Sequence, residues 1–195
     1  GWDAASIQIV EVARMLQDEG VQALAVHCRT RAQGHKGDVD YSWIPRIKAA
    51  VQIPVILNGD VVSPQTARSA FEETGCDGVM IGRAAIRHPW LFREIRHYLD
   101  TGSLLPEPCL RERAELCQHH LRLSVSHFGE RYGMISMKRH YAGYFRGIRG
   151  VARLRAELSE LGEIAQLETR LQQLAAAADD PQAVTDAPMS LSLRR

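Results

Sequence analysis

The sequence predicts a mixed α/β fold followed by an all-helical bundle, and two patterns support this prediction. Three short apolar runs that are typical of buried strands lie at positions 24–26, 54–57 and 78–81, and each follows a helix-like stretch. Continuous apolar strands that alternate with helices are typical of a parallel sheet covered on both faces. From about Pro108 onward these strand signals stop, and the apolar residues recur at helical spacing.

The helix ends in the α/β part can be predicted from capping residues. An amphipathic stretch at positions 9–16 precedes Gly20, which can end a helix in the left-handed conformation. Ser63 and Pro64 stand where an N-cap and a first helical residue belong, and Gly75 can close that helix. Because three parallel strands neither close a barrel nor form a good open sheet, we expect further strands upstream of this chain.

Four helices are predicted after Pro108, near positions 110–128, 134–145, 149–158 and 161–177. The last of them has apolar residues at 3-4-3 spacing, namely Ile164, Leu167, Leu171 and Leu174. Since two heptads are too few to specify a coiled coil, we interpret it as an amphipathic helix packed on its neighbours. We therefore expect domains at residues 1–106 and 107–178, and a disordered tail over 179–195, where the apolar periodicity fails.

The composition excludes several classes of protein. The 195 residues are 45% hydrophobic and 24% charged, which is enough apolar material for a folded core. No apolar run approaches the roughly 20 residues that cross a bilayer, and the early acidic residues are unlike a secretory leader. We therefore expect a cytoplasmic protein with no membrane partner. The four cysteines form no CxxC pair and have no histidine at zinc-finger spacing, which predicts reduced thiols and no metal site.

The net charge of +1 conceals a strongly basic segment in the helical part. Between Glu107 and Arg155, ten basic residues stand against four acidic ones, which gives a local charge of +6. Basic side chains neutralise RNA phosphates, and tyrosines can stack on exposed bases. The same pattern also fits a solvated helix face whose tyrosines belong to the core, and composition alone leaves both interpretations open.

Polar residues follow each predicted strand, and in parallel α/β proteins the working residues lie just beyond these strand ends. The three ends carry His27, then Asn58, Gly59 and Asp60, then Gly82 and Arg83. The two glycines let an anion approach backbone N–H groups, and Arg83 can add a guanidinium fork. Together these residues predict a phosphate site, although each group taken singly could also be an ordinary turn.

Three longer runs resemble the bacterial tRNA-dihydrouridine synthase family. They lie at positions 26–33 (VHCRTRAQ), 53–61 (IPVILNGDV) and 74–83 (TGCDGVMIGR), and Pro89 with Trp90 follows them. The resemblance covers residues 1–175 in order, and residues 1–3 resemble the segment after the family's fifth barrel strand. It therefore implies a partial TIM (β/α)8 barrel, containing the last three strands, followed by an all-helical bundle domain.

The resemblance also implies an activity, which is the FMN-dependent reduction of specific uridines in tRNA to 5,6-dihydrouridine, with NADPH reducing the flavin again. It assigns FMN contacts to six positions, namely His27, Asn58, Gly59, Asp60, Gly82 and Arg83. It places seven residues on the tRNA side, namely Arg29, Arg31, Lys138, Arg139, His140, Tyr144 and Arg146. Most of the latter would belong to a tRNA-contacting helix that follows Gly129 and Glu130.

The chain departs from the family pattern in its cysteines. The family's catalytic cysteine, which is the general acid of the reaction, lies beside a proline in the first half of the barrel, and no cysteine here stands in such a motif. Cys28 replaces the glycine that is usual between the histidine and the arginine, and we interpret it as a tolerated small residue. We therefore expect the general-acid cysteine upstream, and we expect this chain to be inactive alone.

Two other functions remain open on the sequence. An FMN- or phosphate-binding TIM-barrel oxidoreductase that acts on a small metabolite would explain the polar strand ends and leave the basic helical segment without a role. A non-catalytic RNA-binding remnant would explain the helical segment and make the strands a structural leftover.

Overall fold

The computed structural model describes residues 1–177, and the chain divides into two compact units between Leu105 and Pro106. The first unit is mixed α/β and contains a three-stranded parallel sheet. From Pro106 to residue 177 the second unit contains helices and no strand. The tail predicted over residues 179–195 lies outside the described residues. Within residues 1–177, no helix is both long enough and apolar enough to cross a membrane.

The first unit alternates helices and strands in the predicted order. Its elements are α1 (Ile9–Asp18), β1 (Leu24–His27), α2 (Trp43–Lys48), β2 (Val55–Asn58), α3 (Pro64–Thr74), β3 (Gly78–Met80), α4 (Arg83–Arg87) and α5 (Leu91–Thr101). The three predicted strands are confirmed, each to within about a residue at either end. Their inward side chains form the core with the helices, and Ile44, Ile47, Val55 and Leu57 are fully buried in it.

Strand pairing aligns the carboxyl ends of all three strands. The sheet has the order β1-β2-β3, and both pairs are parallel. His27 is the register partner of Asn58, and Asn58 is the register partner of Met80. Because neighbouring strands lie about 4.8 Å apart, the last residues of the three strands stand side by side at one edge of the sheet.

Local capping chemistry explains the helix between β2 and β3. The Ser63 side chain accepts a hydrogen bond from the Thr66 backbone N–H at 3.1 Å, and the Thr66 hydroxyl in turn accepts one from the Ser63 backbone N–H at 2.9 Å. This reciprocal pair satisfies two donors that a helix start leaves without partners. Pro64 opens the helix, and Gly75 closes it with a φ of 64°. The predicted start and end of α3 are therefore confirmed.

Asp77 ties the start of β3 to the rest of the sheet. Its carboxylate accepts hydrogen bonds from the Lys48 Nζ at 2.7 and 2.8 Å and from the Val55 N–H at 2.7 Å. The hydrogen bond from Lys48 is the main reason that the pKa of Asp77 lies below its usual value. The residue thus joins α2, β2 and β3 at the amino ends of the strands, opposite the edge that carries the predicted site.

The second unit contains five helices among its described residues, and they differ from the prediction in one place. They are α6 (Leu110–Phe128), α7 (Glu130–Met137), α8 (Tyr141–Tyr144), α9 (Val151–Glu160) and α10 (Ile164–Ala176). The helix predicted near 134–145 is wrong, because residues 138–140 form a turn between α7 and α8. In that turn the His140 N–H donates to the Met137 carbonyl at 2.8 Å, and the break lets Tyr141, Tyr144 and Phe145 all be buried.

A close approach between α6 and α7 depends on a glycine. A Cβ atom built on Gly133 would lie 2.6 Å from the Val125 Cα and 2.7 Å from the Val125 nitrogen. The Ser124 hydroxyl donates to the Gly133 carbonyl at 3.1 Å across the same contact. Because backbone atoms cannot move aside as a flexible side chain can, only glycine allows α7 to pack this closely on α6.

Gly133→Ala is expected to destabilise the protein by about 1 to 3 kcal/mol, since overpacking against the α6 backbone outweighs the gain in helix propensity. Gly162→Ala is the matched control, because no heavy atom lies within 4 Å of the Cβ position there. Thermal unfolding of both variants measures the difference. Equal melting temperatures for Gly133→Ala and Gly162→Ala would contradict the close packing described here.

Candidate functional site

The edge formed by the three strand ends is held by hydrogen bonds between neighbouring strands. The His27 ring Nδ1 lies 3.2 Å from the Asn58 carbonyl oxygen, which can only accept, so the ring carries its hydrogen on Nδ1 and donates. The Asn58 amide nitrogen donates to the Met80 carbonyl at 2.9 Å. Each polar side chain therefore reaches across to the next strand, and the end of β1 is connected through β2 to the end of β3.

Asp60, in the loop after β2, binds two arginines that come from the other two strand ends. One carboxylate oxygen accepts from Arg29 Nη1 at 3.1 Å and from Arg83 Nη2 at 3.3 Å, and the other oxygen pairs with Arg29 Nη2. Asp60 has a φ of 48°, in the left-handed region that short polar side chains tolerate best. Gly59 before it has a φ of 136°, and the Tyr41 hydroxyl donates to its carbonyl at 2.5 Å.

We expected Arg29 to face tRNA, but its side chain is buried. Only 3% of its side chain is exposed, and its Nε donates to the Gly37 carbonyl at 2.5 Å while its terminal nitrogens bind Asp60. The guanidinium is thus held inside the loops that follow β1 and β2. Arg31 does stay exposed, with its guanidinium carbon 5.9 Å from the centre of the Trp2 ring.

The charges at this edge favour an anion. Hydrogen bonding from Arg29 is the main cause that lowers the pKa of Asp60, with the positive charges of Arg29 and Arg83 adding to it, so Asp60 is a carboxylate at neutral pH. Arg29 in turn has its pKa raised by Asp60. Two guanidinium groups around one carboxylate leave an excess positive charge. Arg83 presents that charge, because 60% of its side chain is exposed and its bond to Asp60 is the longer one.

The backbone before Arg83 leaves room for such an anion. No heavy atom lies within 4 Å of the Cβ position of Gly82, and Arg83 begins α4 directly after it. The six residues predicted to contact FMN, namely His27, Asn58, Gly59, Asp60, Gly82 and Arg83, all belong to this one edge. An exposed guanidinium beside open glycine backbone fits a phosphate group, and the neighbouring imidazole and amide fit the polar edge of a ring system.

Cys28 stands next to His27, but its thiol is not exposed at this edge. It is buried, with Sγ 3.8 Å from the Val26 carbonyl oxygen, and burial raises the pKa of its thiol to about 11. At neutral pH it is therefore a protonated, inaccessible thiol, which agrees with its interpretation as a small packing residue. Within residues 1–177, no group of three or more His, Cys, Asp or Glu side chains is placed to hold a metal ion.

The residues predicted to contact tRNA in the helical unit fall into two groups. Lys138, Arg139 and Arg146 are exposed, and the first two lie in the turn between α7 and α8 rather than on a helix. Tyr144 is buried, with its hydroxyl 3.0 Å from His120 Nδ1, and His140 is half-buried. Sequence reasoning missed His120, because nothing in the pattern along α6 distinguishes it from the neighbouring His119.

Arg29→Met is expected to raise the pKa of Asp60 toward the usual value for aspartate, since it removes the largest cause of the shift. Arg83→Met should raise it less, because that bond is longer and more exposed to solvent. The pKa of Asp77, which depends on Lys48, should stay low in both variants and shows that the sheet remains folded. Carboxyl-carbon NMR titration measures both pKa values in each variant, and an Asp60 pKa that Arg29→Met leaves unchanged would contradict this geometry.

This geometry can now be set beside known proteins. The family profile described as Dihydrouridine synthase (Dus) matches residues 1–180. The Probable tRNA-dihydrouridine synthase 1 of Synechocystis sp. is 40% identical over 173 residues, which cover 89% of this chain and 48% of that protein. The tRNA-dihydrouridine synthase B of Pseudomonas putida is 44% identical over 161 residues, which cover 83% and 48%. The tRNA-dihydrouridine synthase B of Xanthomonas campestris pv. campestris is 46% identical over 144 residues, which cover 74% and 43%.

The chain thus spans about half the length of the relatives that it matches. The family match includes all the residues of the strand-end edge as well as the helical unit up to residue 177. On this evidence the chain belongs to the dihydrouridine synthase family.

Proposed function

We propose that this chain is part of an FMN-dependent tRNA-dihydrouridine synthase, an oxidoreductase that reduces specific uridines in tRNA to 5,6-dihydrouridine with NADPH as the reductant. The observation that carries the proposal is the convergence of three strand ends, which brings an imidazole, an amide and an exposed guanidinium to one edge. The names of the relatives support the substrate, and the sheet geometry supports a cofactor site at these strand ends.

The three parallel strands then correspond to the last three strands of a TIM barrel, and the helical unit to a tRNA-binding domain. The sheet order supports the first assignment, because strands that are consecutive in the sequence lie side by side in parallel, as they do in such a barrel. The loops after its seventh and eighth strands commonly hold a phosphate, and here these are the loops of Asp60 and Arg83. The length of the relatives leaves room for the other strands of the barrel.

Within this proposal the strand-end residues have separate roles in holding FMN. When bound, the reduced flavin supplies the hydride that is added to the uracil ring. Arg83 and the backbone beside Gly82 would bind the phosphate, since Arg83 is an exposed cation and no heavy atom lies within 4 Å of the Gly82 Cβ position. His27 donates its Nδ1 hydrogen to Asn58, so its Nε2 is the ring nitrogen left to bind the ring system. Asp60 and the buried Arg29 position Arg83.

The proton that completes the reduction must come from another group. Cys28 does not serve, because it is buried and its pKa is about 11. We propose that the general acid is a cysteine in the half of the protein that this chain does not include, and that the chain alone is inactive. Arg31, Lys138, Arg139 and Arg146 are the exposed cations that would bind tRNA phosphates, and a tRNA substrate implies a cytoplasmic location.

In the full-length protein that contains this chain, Arg83→Ala is expected to weaken FMN retention by about tenfold, since it removes one charge-assisted phosphate contact at an exposed site. Lys138→Ala is the control and should keep the flavin content of the unchanged protein. Visible absorbance per mole of protein after dialysis measures both. If the protein without substitutions is colourless and takes up no FMN, the cofactor assignment is wrong. If Lys138→Ala loses more FMN than Arg83→Ala, the proposed FMN and tRNA sites are exchanged.

Replacing Lys138 and Arg139 together with alanine should weaken tRNA binding and reduce the slope of log affinity against log salt by about two, because each phosphate contact contributes roughly one. Arg14→Ala, on the exposed face of α1, is the control and should leave the slope unchanged. Fluorescence titration of full-length protein with tRNA at several salt concentrations measures this. An unchanged slope in the double variant would favour an enzyme that acts on a small metabolite.

A further inference from the structure

Four polar side chains of the helical unit form a continuous series of contacts that leads from a buried tyrosine to an exposed arginine. The Tyr144 hydroxyl lies 3.0 Å from His120 Nδ1, and the rings of His120 and His140 meet edge-on with centroids 4.7 Å apart. Arg139 Nε donates to His140 Nε2 at 3.1 Å. Tyr144 is 3% exposed, whereas Arg139 is exposed at the turn between α7 and α8.

The hydrogen bond from Arg139 fixes the protonation state of His140. A guanidinium always donates and never accepts, so the nitrogen that it faces must carry no hydrogen. His140 is therefore neutral, with its hydrogen on Nδ1. Burial is the main cause that lowers the pKa of His140, and the nearby His120 and Arg139 add to it. The pKa of His120 is also lowered, by burial first and then by Arg139 and His119.

The contact also selects which part of Arg139 is available for a ligand. Its Nε is used by His140, which leaves the two terminal nitrogens to bind together. Those two nitrogens match the spacing of two phosphate oxygens. An arginine on an exposed turn otherwise samples many rotamers, and ordering it on binding costs affinity. A fixed Nε contact removes part of that cost in advance.

We propose that His140 is a positioning residue, which holds the Arg139 guanidinium ready for an RNA phosphate, and that the pair formed by the buried Tyr144 and the half-buried His120 holds His140 in place. The proposal rests on the tRNA binding proposed above and gives His140 and Tyr144 a different role from the direct tRNA contact expected from the sequence. His140 acts through Arg139, so its contribution should vanish when Arg139 is absent.

The test compares His140→Phe with His140→Gln in the full-length protein. Phenylalanine keeps a flat ring and removes the acceptor, whereas the glutamine side-chain oxygen can stand where Nε2 stood. His140→Phe is expected to weaken tRNA binding about threefold to tenfold, which corresponds to the cost of ordering one flexible side chain. His140→Gln should stay within about twofold of the unchanged protein, and melting temperatures check that both variants are folded.

The same substitution is then made in an Arg139→Ala background. His140→Phe should have no further effect there, because the group that it positions is gone. Equal weakening by His140→Phe with and without Arg139 would overturn the proposal, since His140 would then contact RNA itself or support the fold. His140→Gln as weak as His140→Phe would also overturn it.

A second measurement needs no RNA. In a histidine NMR titration, Arg139→Ala should raise the pKa of His140, because it removes both the nearby positive charge and the hydrogen bond that favours the neutral ring. An unchanged pKa would overturn the contact. The two failures are distinguishable. If the protein without substitutions does not bind tRNA at all, the proposed function is wrong. If it binds tRNA and His140→Phe leaves that binding intact, only this inference is wrong.

Discussion

The strand-end edge depends on the carboxylate of Asp60, which binds arginines from the loops on both sides of its own. Arg29 follows β1 and lies 31 residues before Asp60, which follows β2, while Arg83 begins α4 after β3 and lies 23 residues after Asp60. One carboxylate thus connects three loops that are distant in the sequence. The Arg29 side chain is buried and bonded to both Gly37 and Asp60, and it therefore fixes Asp60. Arg83 is the weaker and more exposed partner, and its charge is the one that an anionic cofactor can use.

The same physical arrangement recurs in the helical unit with different residues. There a buried hydroxyl and two neutral imidazoles lead to Arg139, just as a buried guanidinium and a carboxylate lead to Arg83. In both units an exposed arginine has one contact with the protein, through Nη2 in Arg83 and through Nε in Arg139, and further N–H groups for a phosphate. This repetition connects the proposed flavin site and the proposed tRNA surface through one principle, which is that a pre-oriented cation binds an anion at lower entropic cost.

The sequence predicted what local chemistry determines and missed what depends on distant partners. The strands and the ends of α3 follow from apolar runs and from Ser63, Pro64 and Gly75, and the structure confirms them. The break at residues 138–140 was not predictable, because Met134, Met137, Tyr141 and Tyr144 continue helical spacing through it. The burial of Arg29 depends on Asp60, 31 residues away, and the role of His120 depends on Tyr144, 24 residues away. No local pattern contains either pairing.

The most direct test of this account is an experimental structure of the full-length protein with FMN bound. The account predicts that the FMN phosphate lies within hydrogen-bond distance of the Arg83 guanidinium and the backbone beside Gly82, with the flavin ring against His27 and Asn58. It also predicts that Arg29 stays buried against Asp60 and touches neither FMN nor RNA. A flavin bound elsewhere, or an Arg83 that turns away from the phosphate, would contradict the central claim that the three strand ends form one cofactor site.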